Sequence, residues 1–115
     1  MSTVHKFTIS EEDYKRQALR DAARVMRFKV VDDVLSGIYV DHDFKDGAAV
    51  LCDNPVYWNP LGIESQAAYM AEKYKVTVSF RNGTCVAHCG EFSCRRSSLC
   101  EAIVYAILTY EKEQK

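Results

Sequence analysis

Residues 98–110 read SLCEAIVYAILTY, and this stretch decides the fold of the chain. Ser98 and Glu101 have the spacing of a capping box, in which two side chains satisfy free backbone N–H groups at a helix start. The apolar residues that follow recur at helical spacing and widen until they nearly surround the helix. Because a helix that is apolar on most sides has to be buried, we predict that it is the central core helix.

A β-hairpin is predicted immediately upstream of this helix. Residues 75–80 alternate between apolar and polar side chains, as a half-buried strand does. Asn82-Gly83 follows, and this dipeptide supplies the positive φ angles that a type I′ turn needs. Residues 84–88 then form the return strand of the hairpin.

Two further helices are indicated by apolar spacing. The first is predicted from about residue 11 to 26, with Ser10 as its N-cap and three acidic residues in its first turn. The second is predicted over Glu64–Tyr74. Residues 1–9 are expected to be frayed or extended.

Short β-rich runs at 28–31, 35–40 and 48–52 lie between these two helices. A polar loop is predicted at 42–47, and a compact loop with two prolines at 53–60. The sequence thus predicts an α+β fold over residues 1–115. It is one domain, with three helices packed on a small, mostly antiparallel sheet.

Length and composition are those of an ordinary globular domain. The chain has 115 residues and is 48% hydrophobic and 27% charged, which is enough to bury a core without obligatory disulfides or metal. No apolar run has the roughly 18 residues that a membrane span needs, and residues 1–16 lack the apolar core of a signal peptide. We therefore expect a cytoplasmic protein.

The net charge of −1 conceals an acidic segment. Residues 32–53 contain six aspartates against Lys45 alone. Such a segment is either a solvated surface or a patch that docks on a basic protein surface. The candidate partner-binding residues are Asp32, Asp33, Asp41, Asp43 and Asp46.

The cysteines suggest a metal site that their spacing does not support. Cys85, His88, Cys89 and Cys94 would be its ligands, but the knuckle spacing of structural zinc sites is missing. In a strand, moreover, His88 points away from the face shared by Cys85 and Cys89. We interpret these cysteines, with Cys100, as buried thiols. No catalytic motif or phosphate-binding loop is present, so we expect no enzyme activity, metal or cofactor.

Three pieces of the chain resemble the NinX-like family of small tailed-phage and prophage accessory proteins. The first is Asn54-Pro55-x-x-Trp58-x-Pro60. The second is the strand 74–80 with Asn82-Gly83 and Val86-Ala87, and the third is the helix start at 98–106. The resemblance covers about residues 50–110. It implies a phage or prophage product that acts inside a bacterium.

Small phage accessory proteins commonly work by binding a host protein. We therefore expect a non-enzymatic inhibitor of a host complex, most concretely of a bacterial defence system in the manner of an anti-CRISPR protein. Its partner would be a nucleic-acid-handling protein with a basic surface, rather than nucleic acid directly. The alternative is a nucleic-acid-binding accessory protein, which would use Arg20, Arg24, Arg27, Arg95 and Arg96. The identity of the target and the oligomeric state do not follow from the sequence.

Overall fold

A computed structural model describes residues 11–34, 36–45 and 48–114 of the chain. Within these ranges three helices and six strands follow one another. The elements are α1 (Glu11–Val25), β1 (Val30–Val34), β2 (Gly37–Lys45), β3 (Ala48–Trp58), α2 (Glu64–Tyr74), β4 (Thr77–Arg81), β5 (Thr84–Cys89), β6 (Phe92–Arg96) and α3 (Leu99–Glu113). The predicted α+β class is confirmed. The predicted Ser10 cap and frayed residues 1–9 lie outside the described residues.

The strands form two sheets rather than the one sheet that the sequence predicted. The first sheet has the order β1-β2-β3 and the second the order β4-β5-β6. All pairs in both sheets are antiparallel and join strands that are consecutive in the chain. Helix α2 lies between the two sheets in the chain order and separates them.

Helix α3 is the core helix, as predicted. The Ser98 hydroxyl accepts a hydrogen bond from the Glu101 backbone N–H, at 3.3 Å, and so caps the helix start. The whole run from Ala102 to Ile107 is buried. Helix α3 contacts β5 and β6 on one side, and it also contacts α1 and α2. The second sheet therefore buries one face against this helix.

The predicted hairpin in the second sheet is confirmed in its turn and its pairing. Asn82 has φ +49° and Gly83 has φ +78°, as a type I′ turn requires at both central positions. Phe80 lies opposite Cys85, and Arg81 opposite Thr84. Strand β6, which the sequence analysis did not predict, extends this hairpin to three strands.

Two predicted loops, 42–47 and 53–60, were wrong in their larger part, because residues 42–45 and 53–58 are strand. Residues 46 and 47 lie outside the described residues, and 59 and 60 follow the end of β3. Strand β2 continues to Lys45, and β3 runs to Trp58 through the predicted loop. Pro55 is tolerated there because β3 is an edge strand with an irregular segment: Val40 pairs with Val56, whereas His42 pairs with Leu51. Residues 52–55 lie between these pairs and have no paired residue in β2. Pro55 lacks a backbone N–H, but at this position no hydrogen bond between the strands is lost.

Trp58, at the end of β3, ties the first sheet to the helices. Its side chain is fully buried, and its Nε1 donates a hydrogen bond to the carbonyl oxygen of Leu19 in α1, at 2.9 Å. The rings of Phe28 and Phe44 lie 5.3 and 5.6 Å from it, centroid to centroid. The indole therefore combines a large buried apolar area with a satisfied polar atom.

Gln66 fixes the connection that follows Trp58. Its side chain is buried, accepts a hydrogen bond from the Asn59 backbone N–H at 2.6 Å and donates one to the Tyr57 carbonyl at 2.8 Å. One amide thus satisfies two backbone groups at the end of β3. This holds the start of α2 against the first sheet.

We predict that Trp58→Ala lowers the free energy of unfolding by about 3–5 kcal/mol, because it removes a fully buried aromatic side chain and leaves a cavity. Val50→Ala is the matched control on the same strand. Its side chain is half exposed, so a change within about 0.5 kcal/mol is expected. Urea denaturation followed by far-UV circular dichroism measures both. Equal stability of Trp58→Ala and the wild type would contradict the role given to Trp58.

Candidate functional site

The two faces of the first sheet differ in chemistry. Ile38 and Val40 of β2 are buried on the face toward the helices. On the same face His42 stacks on the ring of Phe28, and Phe44 packs edge-on against it. The alternate residues of β2 project on the opposite side. We call that side the acidic face. The members that the argument uses are Asp32, Tyr39, Asp41, Asp43, Val50 and Tyr57. Val34, opposite Gly37, and Lys45, opposite Ala48, occupy register positions on the same side.

Strand register assigns these residues to one face. Asp32 lies opposite Tyr39, which in turn lies opposite Tyr57. Asp43 lies opposite Val50. Residues directly opposite in an antiparallel pair project on the same side of the sheet, so the three strands present one continuous surface. Its side chains are acidic, aromatic and aliphatic.

A pair of tyrosines forms the middle of the acidic face. The rings of Tyr39 and Tyr57 are 5.6 Å apart, centroid to centroid. Tyr57 also lies over Gly37, where a Cβ atom would come within 2.4 Å of its ring. The glycine thus allows the ring to lie flat on the sheet, and 41% of Tyr57 remains exposed.

Asp33 does not belong to this face, although the sequence analysis grouped it with the other aspartates. It lies opposite Ile38, on the side of α1. Its carboxylate is 2.9 Å from Arg16 Nη1 and 2.6 Å from Arg20 Nε. The hydrogen bond from Arg20, with a further one from Arg16, outweighs desolvation and lowers the pKa of Asp33. This carboxylate therefore binds β1 to α1.

Asp41 and Asp43 are on the acidic face, but both also make local hydrogen bonds. Asp41 Oδ1 accepts from the Lys29 backbone N–H at 3.0 Å and lies 2.7 Å from His42 Nδ1. Partial burial opposes ionisation of Asp41, yet these hydrogen bonds lower its pKa. Asp43 Oδ1 accepts from the Phe44 backbone N–H at 2.8 Å. Asp46 lies outside the described residues.

Of the cysteines predicted to be buried thiols, Cys85, Cys89 and Cys100 are buried, whereas Cys94 is half-buried. Cys85 and Cys89 are buried on the helix-facing side of β5, whereas His88 is exposed on the other side. Burial raises the pKa of the Cys89, Cys94 and Cys100 thiols. In the part of the chain that the structure describes, no three side chains of metal-ligating type come together.

The five arginines of the alternative function do not form one surface. Arg20 binds Asp33, and Arg24 pairs with Asp21 at 3.1 Å. Arg95 is exposed on the outer side of β6, while Arg96 lies 4.9 Å from the centre of the Tyr105 ring on the opposite side. Because side chains alternate along β6, Arg95 and Arg96 project on opposite sides of the sheet. The number of arginines in this segment does not indicate that separation.

A groove of about 1030 Å³ lies between α1 and α3, near the end of α2. Its lining combines tyrosine rings with charges of both signs. Tyr74, within it, donates a hydrogen bond to Glu111 Oε2 at 2.7 Å. Burial, with that carboxylate, raises the pKa of Tyr74, so its hydroxyl stays protonated and structural.

Asp33→Asn is predicted to lower the free energy of unfolding at pH 7 by at most about 1 kcal/mol, since its ion pairs are partly solvated. A carboxyl group whose pKa is lowered by folding stabilises the fold at pH values above its unfolded pKa of about 3.9. This stabilisation is lost as the pH falls through the lower pKa of the folded state. The difference from the wild type should therefore shrink from pH 7 to pH 3 in urea titrations. Asp32→Asn, which replaces an exposed carboxylate in the same strand, is the control and should lower the free energy of unfolding at pH 7 by less than Asp33→Asn does. A deficit of Asp33→Asn that is constant across pH would contradict the assignment.

We also predict that the fold needs no metal. Dialysis against EDTA should leave the far-UV circular dichroism spectrum and the melting temperature unchanged, because Cys85 and Cys89 are separated from His88 by the sheet. A large fall in melting temperature, with one zinc ion recovered per chain, would show the opposite.

Comparison with models of known protein families, with curated proteins and with solved structures finds no match to this chain. None of the helices among the described residues has the length and apolar character to span a membrane.

Proposed function

We propose that this protein binds a basic surface of another protein through its acidic face and acts by binding rather than by catalysis. The observation that carries the proposal is that one sheet face unites carboxylates with partly exposed Tyr57 and Val50. Exposed apolar area that is grouped with charges on one surface is typical of protein interaction sites.

The tyrosine pair would supply the affinity. Tyrosine is enriched at the centre of protein interfaces and among the residues whose truncation costs most. Tyr57 is held in place by Gly37 beneath it and Tyr39 beside it. A ring that is already ordered loses little conformational entropy on binding.

The carboxylates would supply steering. Asp32 is exposed, and Asp43 lies beside Val50 at the far end of the face. Negative charge around an apolar centre attracts a positive surface and speeds association. Nucleic-acid-handling proteins carry such positive surfaces, so they are the class of partner that we propose.

The resemblance to the NinX-like family supports a biological setting for this binding. We propose a phage or prophage accessory protein in the bacterial cytoplasm, which blocks a nucleic-acid-handling complex of the host such as a defence system. The support is the motif around Asn54, Pro55 and Trp58, together with the small size of the domain.

Asp32→Lys/Asp43→Lys is predicted to slow association with the partner at low salt, while Tyr57→Ala weakens affinity about tenfold or more through faster dissociation. Affinity capture from host lysate with mass spectrometry identifies the partner. Stopped-flow or surface plasmon resonance on the purified pair then measures the rates. Asp41 is left unchanged because it holds the Lys29 N–H.

The matched control is Glu72→Lys/Glu113→Lys, which changes net charge equally through exposed glutamates on α2 and α3. It should leave the association rate close to that of the wild type. If the control slows association as much as the aspartate variant, the effect is one of overall charge and the acidic face is not the docking surface. If Tyr57→Ala and Asp32→Lys/Asp43→Lys both bind normally, the proposal is wrong.

A further inference from the structure

The outer face of the second sheet is a separate surface with the opposite charge. Helix α3 covers the side of β5 that bears Cys85, Ala87 and Cys89. The other side of the same strand bears Thr84, half-buried, and His88, exposed. We call this side the basic face, and it depends on no residue of the acidic face.

Cross-strand register gives the basic face three rows, each with at least one hydroxyl side chain, and two of the rows also contain an arginine. In the middle row, Val86 lies between Ser79 on β4 and Arg95 on β6. The flanking row toward the turn pairs Arg81 with Thr84. The composition is polar and cationic over two successive rows.

The third row continues the pattern. His88 lies between Thr77 on β4 and Ser93 on β6, and all three side chains are exposed. Among the described residues of these three rows there is no aspartate or glutamate. Arg81 and Arg95 are exposed, and neither makes an ion pair within the described part of the chain. Two guanidinium groups therefore face solvent without a counter-charge.

Arginine and hydroxyl side chains together favour phosphate as the ligand. The guanidinium fork matches phosphate oxygens, and serine and threonine hydroxyls add further donors to them. Successive rows are about 6.8 Å apart along the strands, and the three strands span about 9.6 Å. A sheet surface of this size can contact several phosphates of a polymer.

The rings on the basic face bear on the form of nucleic acid that fits it. Proteins that hold single strands stack successive bases on aromatic rings. The three rows contain no phenylalanine, tyrosine or tryptophan, and their one ring is the imidazole of His88. We infer that the basic face binds the phosphate backbone of duplex nucleic acid, without reading its sequence, through Arg81, Arg95 and the neighbouring hydroxyls.

Two arginine–phosphate contacts predict weak, salt-dependent binding. The logarithm of the binding constant should fall with the logarithm of salt concentration with a slope of about −2. Fluorescence anisotropy with a short random-sequence DNA duplex, titrated at several salt concentrations, measures both affinity and slope. Arg81→Glu/Arg95→Glu should bind the duplex at least about tenfold more weakly at low salt, and the slope should fall toward zero.

The control variant is Arg24→Glu/Lys112→Glu, which makes the same change of net charge on α1 and α3. It should retain most of the binding, and circular dichroism should show that both variants are folded. Equal loss in the control would overturn the assignment to the basic face. Tighter binding of single-stranded DNA than of the duplex, equal competition by polyglutamate, or no binding by the wild-type chain at low salt would each overturn the proposal.

Discussion

The structure depends on the burial of Trp58. Its indole closes the space between the first sheet and α1, and its N–H is satisfied by the Leu19 carbonyl. A sheet whose inner face is anchored in this way has its other face left for solvent or a partner. The position of the acidic face thus follows from the packing on the opposite side of the same strands.

In the second sheet it is α3 that covers the inner face. Buried residues from Ala102 to Ile107 cover the inner side, and the outer side carries Arg81, His88 and Arg95. The two outer faces are opposite in charge, although the whole chain, with 15 basic and 16 acidic residues, has a net charge of only −1. Binding responds to the local arrangement of charges rather than to their sum.

The elements that the sequence predicted well are those with local signals. The Asn82-Gly83 turn, the Ser98 cap and the bounds of α2 each depend on residues close together in the chain. The extension of β3 through Pro55 was missed because it depends on its neighbour β2 and on an edge position in the sheet. Sheet number and strand β6 were missed for the same reason.

The candidate site was predictable to a similar extent. Alternation places Tyr39, Asp41 and Asp43 on one side of β2. The sequence analysis ended this β run at residue 40 and predicted a loop at 42–47, so it did not place Asp41 and Asp43 on the sheet. The position of Asp33 on the opposite side of the sheet could not be predicted from the sequence. It depends on ion pairs with Arg16 and Arg20, which lie in a helix well before Asp33 in the chain. The separation of Arg95 from Arg96 required strand β6 to be known.

The central claim is that Trp58 joins the first sheet to the helices, so that the domain unfolds as one unit. Trp58 is the one tryptophan of the chain, so tryptophan emission, excited selectively over that of the seven tyrosines, reports on this junction alone. Urea unfolding followed by tryptophan emission and by far-UV circular dichroism tests the claim directly. The account predicts a blue-shifted emission that resists acrylamide quenching in the native state, and two transitions that coincide. A red-shifted native emission, or a fluorescence transition at lower urea than the loss of secondary structure, would contradict it.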